Sequence, residues 1–264
     1  MSVINPRDVR AFRAKQHTAE MAARYGREID NAVSDTKIYR YIRGKAGEFQ
    51  IPAIRYPETA VSVVAADAVS AVLQHAGTGK TAVLSFASYR NPGGGFLVGS
   101  MAQEEALCHE SFLYNVLTEF RDYYDVNARD TNRGLYRDTA LYTPGVVFRR
   151  NAETAVCDVI TCASPNWRAA RNRGVTHEEN ARALTARIRF ILNVAAEQKV
   201  DALILGAFGC GVFAQDPREV AEIFADALKR DFAGRFARAV FAVPDAGSEN
   251  YTAFRDVVRK LFPW

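Results

Sequence analysis

The 264-residue chain reads as an α/β protein, and two features of its sequence carry that reading. From residue 59 onward, short β-branched runs alternate with stretches of helical periodicity. Two glycine-rich loops each follow a strand pattern and lead into a helix pattern, the arrangement by which open α/β sheets present main chain to a ligand.

The elements justify themselves in order. Residues 6–29 form an arm that begins with Pro6 and Asp8 and spaces Val9, Phe12, Ala19, Ala22, Ala23 and Tyr25 at helical intervals. Residues 30–57, with Gly44, Gly47, Pro52 and Pro57, read as loops around a short strand at 36–41. A strand at 59–64, a helix at 67–75 and a strand at 82–86 precede the first glycine loop, and a helix is expected over 101–120. A polar Arg- and Asp-rich connection then leads to strands at 141–147 and 157–162. Thr176 and Glu179 have capping-box spacing and open a helix with Leu184, Ile188, Leu192 and Ala195 on one face. A strand at 202–207, a helix begun by Asp216-Pro217 and ending near Arg230, a strand at 239–243 and a helix at 248–261 complete the chain. We expect a helical extension over 1–57 packed on a single globular domain over 58–264.

Composition narrows the function. A hydrophobic content of 48% with 24% charge describes a soluble globular chain. The net charge of +4 suits anionic ligands but lacks the clustered basic stripe of a nucleic-acid binder, so no sequence-specific nucleic-acid binding is expected. No apolar run approaches the roughly 20 residues a membrane helix needs, and the start lacks a signal-peptide core. Cys108, Cys157, Cys162 and Cys210 match no zinc or redox spacing and lie in apolar segments, as buried thiols do in a reducing cytoplasm. His17, His75, His109 and His177 are scattered, so no metal site is expected.

The most informative stretch is Asn91-Pro-Gly93-Gly94-Gly95, seven further residues, then Gln103-Glu104-Glu105. Three glycines supply main chain that can adopt positive φ and let a ligand approach closely, which suits a polyanion or a sugar. Ser100 stands three residues before Gln103, so the helix is expected to start near Met101 with both glutamates in its first turn. Acidic residues there are ordinary. The adjoining side-chain-free loop makes these two candidates for chemistry. The second loop, Gly209-Cys-Gly211-Val-Phe213-Ala214, also fits a dinucleotide fingerprint, with Asp245 near the end of the next strand. That reading leaves too few later strands for a dinucleotide fold and ignores the first loop. Gly77-Thr-Gly-Lys80-Thr81 looks like the tail of a phosphate-binding loop, but it leads into a strand where a helix is required.

The glycine-to-glutamate signature, the flanking Asn91-Pro92 and Ala106-Leu107-Cys108, and Gly206 to Phe213 resemble the bacterial-type poly(ADP-ribose) glycohydrolases. The resemblance implies a macrodomain-like three-layer α/β/α architecture with a mixed central sheet. It also implies hydrolysis of the ribose–ribose bonds of poly(ADP-ribose) without a cofactor. Poly(ADP-ribose), ADP-ribose and ADP-ribosylated proteins become the implied partners. Carried over residue by residue, Glu105 is the general acid that then activates water, and Glu104 holds ribose hydroxyls. Gly93, Gly94, Gly95, Gln103, Gly209, Cys210, Gly211, Val212 and Phe213 would contact ligand, Cys210 through its amide; Asn91 either shapes the turn or joins them. A helix amino end favours a charged carboxylate while a general acid must be neutral, so burial under substrate would have to decide. An ADP-ribose-binding module, a mono-ADP-ribosyl hydrolase and a nicotinamide-dependent oxidoreductase are the alternatives.

Overall fold

The structure is a computed structural model and describes residues 5–40, 49 and 53–263. In chain order the elements are α1 (Pro6–Asp35), β1 (Lys37–Arg40), β2 (Ala60–Val64), α2 (Ala68–His75), β3 (Thr81–Phe86), α3 (Gln103–His109), α4 (Leu113–Leu117) and α5 (Arg121–Arg129). Then come β4 (Thr139–Arg150), β5 (Glu153–Cys162), α6 (Trp167–Arg171), α7 (His177–Glu197), β6 (Ala202–Leu205), α8 (Pro217–Lys229), β7 (Arg238–Ala242) and α9 (Glu249–Leu261). Seven strands form one mixed sheet in the order β1-β4-β5-β3-β6-β7-β2. From β5 to β2 all neighbours are parallel, while β4 runs antiparallel to both β1 and β5. The centre of the sheet is apolar on both faces, since Ala82, Val83 and Leu84 of β3 are fully buried, as a strand covered by helices on both sides requires.

Two apolar clusters sandwich the sheet. One joins α7, α8 and α9 to one face through Ile188, Phe224 and Phe254; the other joins α1, α2, α3 and α4 to the opposite face through Met21, Val72, Leu107 and Val116. This is the expected three-layer arrangement.

Several expectations need correction. The arm continues past a kink at Tyr25 to Asp35, six residues beyond what its apolar spacing indicated, and β1 pairs with β4 at the sheet edge. The expected loops over 41–48 and 50–52 lie outside the described residues. The expected helix over 101–120 is broken. Ser111 forms a bridge with Phe148, its Oγ accepts from Leu113 N, and Glu110 O accepts from Arg149 N, so main chain that would continue the helix binds the tip of the β4–β5 hairpin instead. The polar connection after residue 120 is helical as α5, buried through Tyr123, Tyr124 and Asn127. The Gly77–Lys80 turn sits at the amino end of β3, where Lys80 N donates to Asp201 at 2.7 Å, remote from the loops at the carboxyl ends.

Candidate active site

Both glycine loops leave the carboxyl ends of neighbouring parallel strands, the first from β3 and the second from β6. Phe86 at the end of β3 meets Phe208 in the second loop, with ring centroids 5.7 Å apart.

The first loop is built around the glutamates. Gly93 and Gly94 adopt φ of +64° and +59°, values that side chains resist. A Cβ on Gly94 would lie 2.6 Å from Glu105 Oε1 and 3.0 Å from Glu104 Oε2, so both carboxyl groups occupy the space that the glycine leaves. Gly95 N donates to Glu105 Oε1 at 2.8 Å, and Ala102 N donates to Glu105 Oε2 at 2.9 Å. The helix therefore starts at Gln103 with Ala102 as its N-cap, two residues later than the Ser100–Gln103 spacing suggested. Alanine is a poor cap, and the N3 glutamate itself satisfies the orphan amide, which fixes the Glu105 carboxyl at both oxygens.

Glu104 is buried more completely. Its Oε2 accepts from Ser88 N at 2.7 Å, while Oε1 is shielded and has no partner among the described residues. Burial is the main cause that holds its pKa well above the ordinary carboxylate range, with the adjacent Glu105 adding to it and the Ser88 and Gly93 amides opposing. Gln103 donates to Leu84 O and accepts from Phe86 N, at 2.9 and 2.8 Å, so both ends of its amide fasten α3 to the end of β3. The Asn91 carbonyl accepts from Gly94 N at 3.1 Å, a turn contact, and the residue is exposed.

Helix α1 reinforces the same loop. Arg7 Nε donates to Val98 O and Arg10 Nε to Gly99 O, each at 2.8 Å. Gly99, at φ +75°, lies so close to the helix that an added Cβ would come within 2.1 Å of Arg7 O.

The second loop differs. Gly209 has φ +79° and no room for a Cβ beside Ser164 Oγ, 2.3 Å away, whereas Gly211 avoids positive φ and has nothing within 4 Å of its Cβ position. Among the described residues the amides of Gly209, Gly211, Val212 and Phe213 have no protein acceptor, but Cys210 N donates to Ala207 O at 3.1 Å. The Cys210 amide is thus already committed, and burial pushes its thiol up to about 12, which removes it as a nucleophile. The amino end of α8 is committed as well, because Asp216 Oδ1 accepts from Arg218 N and Glu219 N at 2.8 and 2.9 Å. Its favourable potential for an anion, expected from the helix dipole, is answered by the protein's own carboxylate.

Phe213 is half-buried with its ring centroid 6.0 Å from Tyr136, which stacks on Tyr89 at 4.1 Å. Tyr89 follows Ser88, so this aromatic row links the two loops; sequence reading missed it, and its only local signal was a tyrosine in an Arg- and Asp-rich tract.

The family model for the microbial-type PARG catalytic domain matches residues 9–151, which include the first loop and both glutamates. The chain belongs to this family. A search of curated proteins returned no match. Among solved structures, the poly(ADP-ribose) glycohydrolase (PARG) of Thermomonospora curvata is 32% identical, with 95% of this chain and 100% of that one covered and a TM-score of 0.81. The same enzyme bound to the inhibitor ADP-HPD gives 32% identity, 94% and 98% coverage and a TM-score of 0.79. The PARG of Deinococcus radiodurans in complex with ADP-ribose gives 32% identity, 88% and 98% coverage and a TM-score of 0.78. The oxidoreductase alternative falls with this membership.

Proposed function

We propose that Glu105 and Glu104 divide the work of poly(ADP-ribose) glycohydrolysis, the activity of the family to which the chain belongs. The reaction breaks the ribose–ribose O-glycosidic bond and releases ADP-ribose. Glu105 donates a proton to the leaving 2′-oxygen and then, as a carboxylate, takes one from the attacking water. Glu104 retains its proton further up the pH scale than an ordinary glutamate and meets the ribose hydroxyls. Successive residues in a helical turn project about 100° apart, so two adjacent carboxyls cannot flank one bond symmetrically, and unequal roles follow.

The observation that carries this reading is the shared space at Gly94, which brings both carboxyls against a loop free of side chains. The amides of Gly209, Gly211, Val212 and Phe213 take the diphosphate, Phe213 packs on the reacting ribose, and Gln103 and Asn91 act by shaping their elements. The diphosphate lies near the developing oxocarbenium and stabilises its charge.

We place the reaction in the cytoplasm, where four free thiols stay reduced, and assign it to reversal of ADP-ribosylation, including after DNA damage. The extension and the domain over 58–264 act as one unit, because Arg7 and Arg10 hold the catalytic loop. Incubation with size-fractionated poly(ADP-ribose) and separation of products tests the activity: free ADP-ribose accumulates, and a polymer left intact contradicts the reading. ADP-ribose at 100 times Kd stabilises the fold by about 2.7 kcal/mol without added metal.

A further inference from the structure

A cavity of about 920 Å³ has one wall joined to the glutamate site through the chain and through a ring contact. Tyr89 and Tyr136 form that wall, and from them it extends to α5 and α7. Ser88, the residue before Tyr89, holds Glu104, and Tyr136 touches Phe213 of the second loop. Its volume lies within the range of about 300–1,000 Å³ usual for small-molecule sites.

Five arginines and three carboxylates are among the described residues that line it, an excess of positive charge. The pair of buried Arg187 and half-buried Asp138, 2.6 Å apart, is structural, because that guanidinium also ties Leu135 O to α7. The remaining arginines are differently placed. Arg133 and Arg137 pair with Glu179 and Asp130 in half-exposed contacts, which hold a guanidinium only weakly. Arg182 pairs with Glu178 on its own helix, and Arg40 lies over the Tyr123 ring with no ion pair among the described residues. A phosphate offers these guanidiniums a stronger, bidentate partner.

The segment beside the wall is also strained. Asn132, Arg133 and Tyr136 all adopt positive φ, at 43°, 55° and 61°, and are held there by bonds such as Asn132 Nδ2 to Tyr136 O at 3.2 Å. Arginine and tyrosine gain nothing from that backbone, and strain of this kind persists where it sets a functional surface.

We propose that this cavity is a second polymer subsite, which holds the ADP-ribose unit bonded to the leaving oxygen. The inference rests on the assignment of Glu105 and Phe213 to the reacting sugar, since the chain beyond that sugar then emerges at Phe213, against Tyr136. The rim arginines meet the diphosphate of that unit.

The test uses the full chain with Glu105→Gln, which binds without turnover, and compares ADP-ribose with size-fractionated polymer. Two changes are added separately: Arg40→Ala with Arg182→Ala removes exposed charge, and Ala186→Trp fills the cavity from the exposed face of α7. Each lowers polymer affinity about ten-fold, while ADP-ribose affinity stays within about two-fold; the arginine change also flattens the salt dependence. Unchanged polymer affinity in both variants, or equal losses for polymer and ADP-ribose, overturns the subsite. Failure of the parent to bind ADP-ribose at all strikes the proposed function instead.

Discussion

The two glycine loops look alike in sequence and do opposite things. In the first, the amides of Gly94 and Gly95 are spent on Asn91 O and Glu105, and the missing side chains make room for carboxyl groups. In the second, four amides remain without a protein acceptor among the described residues, and Gly211 faces open space. Glycine thus makes room for carboxyl groups in one place and, under the proposed function, for close approach of a ligand in the other. The Gly94 and Gly95 amides are bonded within the protein, and the loop seats Glu104 and Glu105.

The largest effect that follows from this contrast is at Gly94. Gly94→Ala puts a Cβ into the space of both carboxyls at φ +59°, and displacement by about 1 Å is enough to lower turnover roughly 10²-fold. ADP-ribose affinity falls much less. Equal losses in kcat and affinity would merge the two loops into one function.

At Gly211 the opposite split is expected. Because the position is open and free of positive φ, Gly211→Val leaves thermal stability close to the parent's, as surface changes within about 0.5 kcal/mol do. ADP-ribose affinity drops about ten-fold, because the branched side chain keeps the diphosphate from the amides. Titration calorimetry that shows unchanged affinity removes this loop from the site. The positive φ of this loop falls at Gly209, where Gly209→Val disturbs folding as well.

The smallest effect is a pH dependence. Glu104 has a raised pKa in the folded state, so the folded chain binds its proton more tightly than the unfolded chain does. That contribution is full below the ordinary glutamate pKa and is lost as pH rises through the folded value. Glu104→Gln removes the loss, so its melting temperature gains on the parent's over the interval in which pH climbs above the ordinary glutamate pKa. A difference that stays constant over that interval contradicts the burial account.

The legible parts of the molecule were those set by local chemistry. Thr176 and Glu179 form the capping box that their spacing predicts, and Asp67, Asp216 and Ser248 cap α2, α8 and α9. The central strands could be placed because their apolar runs are buried on both faces. What stayed hidden depends on tertiary partners. Ser100 reads as the cap of α3, yet the helix begins at Gln103, because the Glu105 carboxyl bonds the amides of Gly95 and Ala102. The strand expected over 141–147 runs on to Arg150 through a bulge at Pro144-Gly145 that its sequence did not announce, with Gly145 N bonded to Asp158 at 2.9 Å. Tyr136 has no signal beyond the polar tract around it, because its place follows from Tyr89 and Phe213 on two other loops.

The central claim is that neighbouring glutamates on one helical turn have unequal roles, and paired substitution addresses it directly. Single-turnover hydrolysis of polymer is measured for Glu105→Gln and Glu104→Gln, together with ADP-ribose affinity for each. Glu105→Gln lowers hydrolysis by about 10⁴-fold or more with affinity within a few-fold, since one carboxyl serves both half-reactions. Glu104→Gln weakens sugar positioning and turnover together, by roughly 10²-fold in rate. An active Glu105 variant beside an inactive Glu104 variant would reverse the assignment, and full activity in both would contradict it.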